Sequence, residues 1–225
     1  MSNYYYSWSG EDNLRFPFEG SENIFGCYGQ AMQDIFILSC TKGKRNGTFL
    51  EIGCNIPAGC NNTFLLSKLY DWKGISLDFL DFSKEWKNER PQDEFLRADA
   101  LSTNYETILK NKFGNLTNID YLQLDIDPAP NTLQCLKLIP LDKYKFGIIT
   151  FEHDLYTMGT EYKTQAKEIL QKNGYELIIN NVLVNWRGVD DPYEDWWVHP
   201  DLVDMNIANE FKNLKTGDPK KFLFK

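Results

Sequence analysis

Residues 49–66 read FLEIGCNIPAGCNNTFLL and contain a β-rich run, a polar loop and the start of an apolar helix. The β-rich run carries the acid Glu51, and Gly53 follows two positions later, where a residue without a side chain lets the backbone approach a ligand closely. A strand that leads through such a loop into a helix is the repeating unit of a parallel sheet covered by helices. This stretch therefore predicts the first such unit of an α/β protein.

Short β-rich runs alternate with helix-period runs along the rest of the chain. Strands are predicted over residues 48–52, 74–79, 94–97, 119–126, 146–151 and 175–184, with a last one near Trp196. Helices are predicted over residues 30–40, 63–70, 83–88, 105–112, 132–139 and 161–172. The predicted fold class is α/β, a Rossmann-like doubly wound fold with a mostly parallel seven-stranded sheet and helices on both faces.

The chain divides into three predicted segments. Residues 1–46 form an amino-terminal arm and a covering helix, residues 47–211 form the Rossmann-like domain, and residues 212–225 form a basic tail. The tail carries five lysines against the single acid Asp218, and we expect it to be solvated. For the aromatic run YYYSW at residues 4–8, burial and self-association both stay open, so a homodimer is one alternative.

Composition and charge argue against several classes of partner. The 225 residues carry 32 acidic and 24 basic side chains, a formal net charge of −8, which opposes binding to nucleic-acid phosphates or to anionic lipid. Five cysteines without a CxxC pair indicate free thiols, as expected in a reducing compartment. With no basic-then-apolar leader and no apolar run of about 20 residues, the sequence predicts a soluble cytoplasmic protein with no nucleic-acid or membrane partner.

Acidic residues stand at the ends of five successive predicted strands. They are Glu51, Asp78, Asp99, Asp125 with Asp127, and Glu152 with Asp154, which flank His153. Ligands of an open parallel sheet bind at the carboxyl ends of its strands, so we expect these side chains to surround one site. Such a site suits a ligand that carries positive charge.

Asp78 ends the predicted second strand, where an acid accepts hydrogen bonds from the ribose hydroxyls in related dinucleotide-binding folds. The loop after Glu51 lacks the GxGxxG spacing that cradles a pyrophosphate, because Asn55 and Pro57 interrupt it. A nucleoside without a pyrophosphate is therefore favoured. An NAD-dependent oxidoreductase is the less favoured alternative.

Several motifs together resemble those of a known family. They are GQAMQD at residues 29–34, FLEIGCNIPAGCNNTFLL, GISLDF, ADA, YLQLDIDPAPNTL and FEHD. With these motifs the chain resembles the class I S-adenosylmethionine-dependent methyltransferases, and among them the FkbM-like family, over roughly residues 29–200. The chain departs from that family where an Asp-x-Glu-Gly-x-Glu run is common, since Asp125, Asp127, Pro128 and Asn131 stand there. The missing glycine and second glutamate lie on the side that would bind the methyl acceptor.

The resemblance implies a set of cofactor-binding residues. The region of Glu51 and Gly53 would bind the methionine part of S-adenosylmethionine, and Asp78 would bind the ribose. Asp99 and Ala100 would contact the adenine. The resemblance also assigns Asn55, Asn62, Thr63 and Asp125 to the cofactor site.

Methyl transfer to a hydroxyl requires a nucleophile in line with the methyl group and a group that takes its proton. His153, beside acids at a predicted strand end, is the candidate general base, and Asp125 is a second catalytic candidate. A structural histidine beside the pocket is the alternative. A divalent cation such as Mg²⁺ or Mn²⁺ is a further alternative, because an oxygen-rich set with one imidazole suits it, and its candidate ligands are Asp125, Asp127, Glu152 and His153.

The sequence therefore predicts an S-adenosylmethionine-dependent methyltransferase that methylates a hydroxyl of a small-molecule or carbohydrate acceptor. A non-catalytic nucleoside-binding module on the same fold is the alternative. YEDWWVHP at residues 193–200 either offers aromatic faces and carboxylates to a sugar or cation, or packs its tryptophans on the core.

Overall fold

The computed structural model describes residues 5–8, 13–186 and 188–225, and only the backbone of Trp186. Tyr4, which begins the YYYSW run, lies outside the described residues. The strands are β1 (Tyr6–Ser7), β2 (Gly26–Cys27), β3 (Thr48–Ile52), β4 (Lys73–Asp78), β5 (Glu94–Arg97), β6 (Asn118–Leu124), β7 (Lys145–Glu152), β8 (Glu176–Trp186) and β9 (Val189–Val198). The helices are α1 (Gln33–Cys40), α2 (Phe64–Tyr70), α3 (Ser83–Glu89), α4 (Tyr105–Phe113), α5 (Ala129–Leu138), α6 (Leu155–Met158), α7 (Glu161–Lys172), α8 (Met205–Asn213) and α9 (Pro219–Leu223).

Seven of these strands form one sheet in the order β5-β4-β3-β6-β7-β9-β8. The pairs from β5 to β7 are parallel, and β9 runs antiparallel to both β7 and β8. From β3 the chain proceeds to β4 and β5 on one side and later to β6 and β7 on the other, so the strand order reverses between β3 and β6. The predicted α/β, Rossmann-like, mostly parallel sheet is confirmed, and its switch point marks where a ligand is expected.

Alternate residues of the central strands point to opposite faces of the sheet. Phe49, Tyr121 and Ile148 belong to the core cluster that includes α1, α2, α8 and α9. Leu50, Leu122 and Ile149 belong to the cluster on the other face, with residues of α4, α5 and α7. The helices therefore cover both faces, as predicted.

Two levels of polar residues replace the apolar core where the α1 face approaches the carboxyl edge. Glu51 pairs in register with Ser76 and Gln123, and Gln123 pairs with Thr150. We call these four residues the inner row. Two positions further along each strand stand Gly53, Asp78, Asp125 and Glu152, which we call the outer row. Because side chains two positions apart on a strand point to the same face of the sheet, both rows lie on one face.

Some element boundaries differ from the sequence-based expectations. The strand predicted to reach Ile126 ends at Leu124, because the Thr132 hydroxyl accepts from the Ile126 amide (3.1 Å) and donates to the Ile126 carbonyl (2.8 Å). Side-chain bonds of this kind take backbone groups out of the sheet. The helix predicted from Thr132 begins earlier, at Ala129, directly after Pro128.

The β8–β9 hairpin extends past the carboxyl edge of the parallel strands. Glu152, the last residue of β7, pairs with Glu194, and the hairpin continues beyond that pair to Trp186 and Val189. Trp196 and Trp197, in its other half, are buried, so the packing interpretation holds for them. The hairpin forms a wall beside the ligand-binding edge.

The expectation of a solvated carboxyl-terminal tail is wrong. Phe222 and Leu223 are buried, and the Phe222 ring packs against Trp196 with the ring centroids 5.3 Å apart. A bridge between Leu14 and Phe224 also joins the tail to the amino-terminal arm. The many lysines of this segment masked the apolar face of the short helix α9. The domain boundaries predicted at residues 46 and 211 stay a prediction.

All five cysteines are free, as predicted, and only Cys60 among them is exposed. Burial raises the pKa of the Cys54 thiol well above its usual value, so this thiol is protonated at neutral pH. Among the described residues, no helix is long and apolar enough to cross a membrane.

Candidate active site

A cavity of about 460 Å³ lies over the switch point of the sheet. We call it the edge cavity; it is lined by Gln30, Gln33, Gly53, Asn55, Cys60, Asn62, Asp78, Leu80, Phe82, Gln123, Asp125, Ile126, Asp127 and Glu152. An adjoining side cavity of about 250 Å³ is lined by Gly53, Leu77, Asp78, Phe79, Asp99, Ala100, Leu101, Ile126, Asp127 and Asn131. Because the two cavities share four residues, Gly53 and Asp78 among them, they form the two ends of one cleft.

Gly53 is required by the backbone geometry at the centre of this cleft. Its φ is +77°, and a Cβ at this position would lie 1.6 Å from the carbonyl oxygen of Asp125. Its amide donates to the Leu77 carbonyl at 2.9 Å, which ties the turn after β3 to β4. Glycine therefore lets the turn after β3 cross the end of β6 at close range.

Asp78 lies between the two cavities and organises their walls. One carboxylate oxygen accepts from the Asn55 amide and the other from the Leu80 amide, each at 2.8 Å. Asn55 itself has a positive φ of 52°, which Asn tolerates better than most residues. A carboxylate has about four acceptor sites, so Asp78 retains capacity for two hydroxyl groups of a ligand.

The side cavity brings Asp99 and Ala100 to the same cleft as Asp78. The Asp99 carboxylate accepts from the Leu101 amide at 2.8 Å and fixes the turn after β5. Leu77, Phe79 and Leu101 add apolar surface to this end. The side cavity is therefore the less polar end of the cleft, suited to a flat ring.

Glu51 and Thr63, two of the predicted cofactor-binding residues, do not line the cleft. Glu51 is fully buried, and its Oε2 accepts from the hydroxyls of Thr63 (2.8 Å) and Ser76 (2.7 Å). Burial raises the pKa of the Glu51 carboxyl, and the nearby Arg90 charge opposes this rise. The loop from Gly53 to Thr63 covers Glu51. Glu51 and Thr63 therefore support the wall of the cavity through their hydrogen bond and do not face the cavity.

Arg90 completes this buried group and was missed by the sequence analysis. Its side chain is fully buried and donates to Asn61 (3.0 Å), Thr63 (2.9 Å) and Asp93 (2.7 Å). It therefore ties the loop after β3 to the segment after α3. A lone arginine in a polar segment gave no sequence signal of burial.

Four carboxyl groups gather at the acidic end of the edge cavity. Burial raises the pKa of Asp125, and burial together with the Asp125 charge raises the pKa of Glu152 well above its usual value. Asp127 and Asp154 add further negative charge to the same neighbourhood. Because Asp125 and Glu152 interact directly, the charge on each carboxyl raises the pKa of the other.

The predicted cation ligands come together only in part. Among the described residues, oxygen atoms of Asp127, Glu152 and Asp154 lie within 4.8 Å of one another, whereas the other two predicted ligands, Asp125 and His153, are not in this group. Asp154 is buried, and its Oδ1 has no hydrogen-bond partner among the residues that the structure describes. This oxygen-only set has the chemistry that Mg²⁺ prefers, with Asp154 in the place where the sequence analysis put His153.

His153 does not reach the cleft, which corrects its expected role as general base. The imidazole is fully buried, its Nδ1 accepts from the Leu155 amide, and its Nε2 lies 3.3 Å from Asp195 Oδ1. Lys163 Nζ lies 2.8 Å from the same Asp195 oxygen. Glu152 faces the edge cavity and His153 follows it directly, so the strand alternation turns His153 away.

Gln33 and Gln123 line the edge cavity but were not among the predicted site residues. Gln33 donates to the Tyr193 hydroxyl (2.6 Å) and to Glu194 Oε1 (2.7 Å), while buried Gln123 has an Oε1 without a partner. Burial raises the pKa of Glu194 to about 8. A glutamine inside the apolar strand YLQLDI was the available signal for Gln123.

Comparisons with known proteins give limited information. No protein-family model matches the chain, and no curated protein matches it in sequence. Among solved structures, an rRNA methylase from Streptococcus thermophilus is similar in fold. The match covers 74% of this chain and 93% of the methylase, at 12% sequence identity and a TM-score of 0.47.

Two further solved structures match the chain at similar levels. The magnesium protoporphyrin IX methyltransferase from Synechocystis PCC 6803 with bound SAM matches over 74% of this chain and 76% of its own, at 10% identity and a TM-score of 0.47. A protein of the NADB-Rossmann superfamily from Streptococcus agalactiae matches over 74% and 67%, at 13% identity and a TM-score of 0.46. Likenesses at this level assign neither a family nor an activity, and FkbM-like membership stays a prediction.

Proposed function

We propose that the protein is an S-adenosylmethionine-dependent methyltransferase that methylates a hydroxyl group of a small-molecule or sugar acceptor. The observation that carries the proposal is the position of Asp78 between a less polar side cavity and an acidic edge cavity at the switch point of the sheet. The cleft thus offers, in sequence, a place for a flat ring, a diol and a cationic group.

The residues present fit this cofactor by chemistry. Leu77, Phe79 and Leu101 suit the adenine, and Asp78 retains the acceptor capacity that a ribose diol requires. The sulfonium and ammonium charges suit the acidic edge cavity, where Asp125, Asp127 and Glu152 lie. The same acids oppose the pyrophosphate of a dinucleotide, so an NAD-dependent oxidoreductase is less well supported.

The carboxyl pair of Asp125 and Glu152 is the proposed proton acceptor in place of His153. When bound, S-adenosylmethionine would supply an electrophilic methyl group for the acceptor oxygen, with its sulfur as the leaving group. The acceptor hydroxyl gives its proton to the carboxylate member of the pair. Gln33 and Asn62 also line the edge cavity.

Mg²⁺ is the finer part of the proposal. Asp127, Glu152 and Asp154 would hold it, because their oxygens lie close together and Asp154 Oδ1 is buried without a partner. A bound cation would lower the pKa of an acceptor hydroxyl in contact with it. Asp154→Asn should then weaken Mg²⁺ binding and leave the cofactor affinity nearly unchanged.

The decisive experiment is calorimetric titration of the purified chain, freed of carried-over ligand, with S-adenosylhomocysteine and separately with NAD. Micromolar binding of S-adenosylhomocysteine without NAD binding supports the proposal, and tighter binding with Mg²⁺ present supports the cation site. Binding without turnover on any acceptor in a screen favours the non-catalytic nucleoside-binding module. Absence of S-adenosylhomocysteine binding refutes the proposed function.

The partners and location follow the same proposal. A net charge of −8 and an acidic cleft support a neutral or cationic small acceptor over nucleic acid or a lipid surface. A cytoplasmic location and a homodimer stay predictions, to be checked by fractionation and by light scattering.

A further inference from the structure

A third cavity, of about 330 Å³, lies between the amino-terminal arm and the β8–β9 hairpin. We call it the arm cavity; its lining comes from residues 5–6, 30–32, 183–185 with Asp190, and 218–220. Four segments that are distant in sequence therefore meet around one space. Its size falls within the range of small-molecule binding sites.

The arm cavity adjoins the edge cavity. Gln30 lines both, and its Oε1 accepts from the Cys60 thiol at 3.6 Å on the edge-cavity side. The hairpin wall, which extends past the carboxyl edge of β7, closes the far side of the arm cavity. A ligand in the arm cavity can therefore extend past Gln30 toward the outer row.

The lining combines an apolar surface with a polar rim. Ala31, Met32, Leu183 and Pro219 supply apolar contacts, and Tyr6 supplies an aromatic ring. At the rim, the Asn185 amide nitrogen donates to Asp190 Oδ1 at 2.7 Å, which leaves the Asn185 Oδ1 and the second Asp190 oxygen as acceptors for ligand hydroxyls. This arrangement matches a ring with one apolar face and a hydroxylated edge.

The charges of the lining favour a neutral ligand. Lys220 Nζ lies 4.2 Å from the centroid of the Tyr6 ring, and Asp218 and Asp190 lie in the same lining. The ammonium group of Lys220 thus lies over an aromatic face in a cavity that is also lined by two acids. A phosphorylated or carboxylated ligand would meet these acids, and an amine would meet Lys220.

We propose that the arm cavity binds the non-reacting part of the methyl acceptor, a neutral polyhydroxylated ring, and so presents one hydroxyl past Gln30 to the edge cavity. This inference rests on the proposed methyltransferase function. A free cyclitol and a glycoside share the required chemistry, because each has an apolar ring face and several hydroxyl groups.

The test is saturation-transfer difference NMR on the full chain with saturating S-adenosylhomocysteine. The probes are the methyl glycosides of glucose, galactose, mannose and rhamnose in one arm, and myo-inositol in the other. Asn185→Ala and Tyr6→Leu should each weaken binding of the recognised probe about fivefold or more. Asn213→Ala, an exposed change outside the three cavities, is the matched control.

The outcomes separate this inference from the function on which it rests. Selective loss of probe binding in Asn185→Ala or Tyr6→Leu, with S-adenosylhomocysteine affinity unchanged by calorimetry, supports the arm cavity as the acceptor site. Failure of every probe to bind overturns the ligand class, and binding that neither variant weakens overturns the location. If S-adenosylhomocysteine does not bind but a probe does so through Asn185, the methyltransferase proposal fails while the ring-binding site stands.

Discussion

The inner and outer rows are two levels of polar residues on one face of the same sheet, only two positions apart, yet their carboxylates differ in what they contact. In the inner row, Glu51 is covered by the loop after β3 and bonded by Thr63 and Ser76. In the outer row, Asp78, Asp125 and Glu152 line an open cavity. The comparison shows that depth along a strand, and not residue type, separates a carboxylate that holds the fold from one that faces a ligand.

The largest effect is expected from a change at Gly53, where the turn after β3 passes close to the end of β6. Gly53→Ala would place a methyl group 1.6 Å from the Asp125 carbonyl oxygen, which neither backbone segment can accommodate without moving. We expect a loss of more than about 4 kcal/mol in the free energy of unfolding, measured by urea denaturation.

Gly159→Ala is the matched control for this change. Gly159 has a similar φ of +72°, but a Cβ there meets no atom within 4 Å. This variant should lose only the cost of its backbone conformation (φ 72°, ψ −168°), which is nearly restricted to glycine and costs on the order of 1–3 kcal/mol. Equal losses in the two variants would show that the close approach to Asp125 is not what makes Gly53 necessary.

The second-largest effect is expected from the loss of Arg90, which holds the loop that covers Glu51 of the inner row. Arg90→Met leaves Asp93 buried without its partner and frees Asn61 and Thr63 from their donor. We expect about 3 kcal/mol of destabilisation in urea, with weaker cofactor binding as a secondary result of a loosened loop.

Arg97→Met provides the comparison at an exposed site. The Arg97 side chain is 63% exposed and lies 3.7 Å from Asp81, so its loss should cost less than about 1 kcal/mol. If Arg90→Met lost as little stability as Arg97→Met, the hydrogen bonds of Arg90 would not be what holds the loop after β3.

The third effect addresses the outer row directly. Asp78→Ala removes the proposed acceptor of the ribose hydroxyls and should weaken S-adenosylhomocysteine binding by about 1–3 kcal/mol, or roughly 5-fold to 150-fold, by calorimetry. Asp142→Ala, an exposed acid on the loop before β7, should leave the affinity unchanged. An Asp78→Ala variant that binds as tightly as the wild type would place the ribose elsewhere.

The sheet and the location of the cleft could be predicted because both depend on short-range pattern. The apolar strand runs and the residues that end them indicate a parallel sheet, and the carboxyl-edge rule then brings Gly53, Asp78, Asp99 and Asp125 to one cleft. Helix α9 was missed because five residues carry too little periodicity, and three of them are buried only through contacts with distant parts of the chain.

The roles of the individual residues in the site were harder to predict, because they depend on which side chains the folded chain covers and which it leaves facing the cavity. Glu51 and Thr63 were expected to contact the cofactor, but a loop of the same motif covers them. His153 was expected in the cleft, although the two-residue period that places Glu152 there turns the next residue away. Arg90 gave no local signal, because its partners come together only when the chain folds.

The last expected effect concerns Glu194, which pairs in register with Glu152 and extends the outer row to β9. Burial raises its pKa to about 8, against about 4.3 in an unfolded chain. The folded state therefore binds the proton more tightly, and the wild type should lose stability as the pH rises from about 4 toward 8.

Glu194→Gln keeps an oxygen to accept from Gln33, Tyr193 and Trp196 but cannot ionise. Its free energy of unfolding relative to the wild type should rise by roughly 3 kcal/mol between pH 5 and pH 8, because only the wild type must bury a charge at the higher pH. Glu168→Gln, an exposed change on α7, should run parallel to the wild type over the same range. A Glu194→Gln curve that also ran parallel would mean that Glu194 is ionised at both pH values.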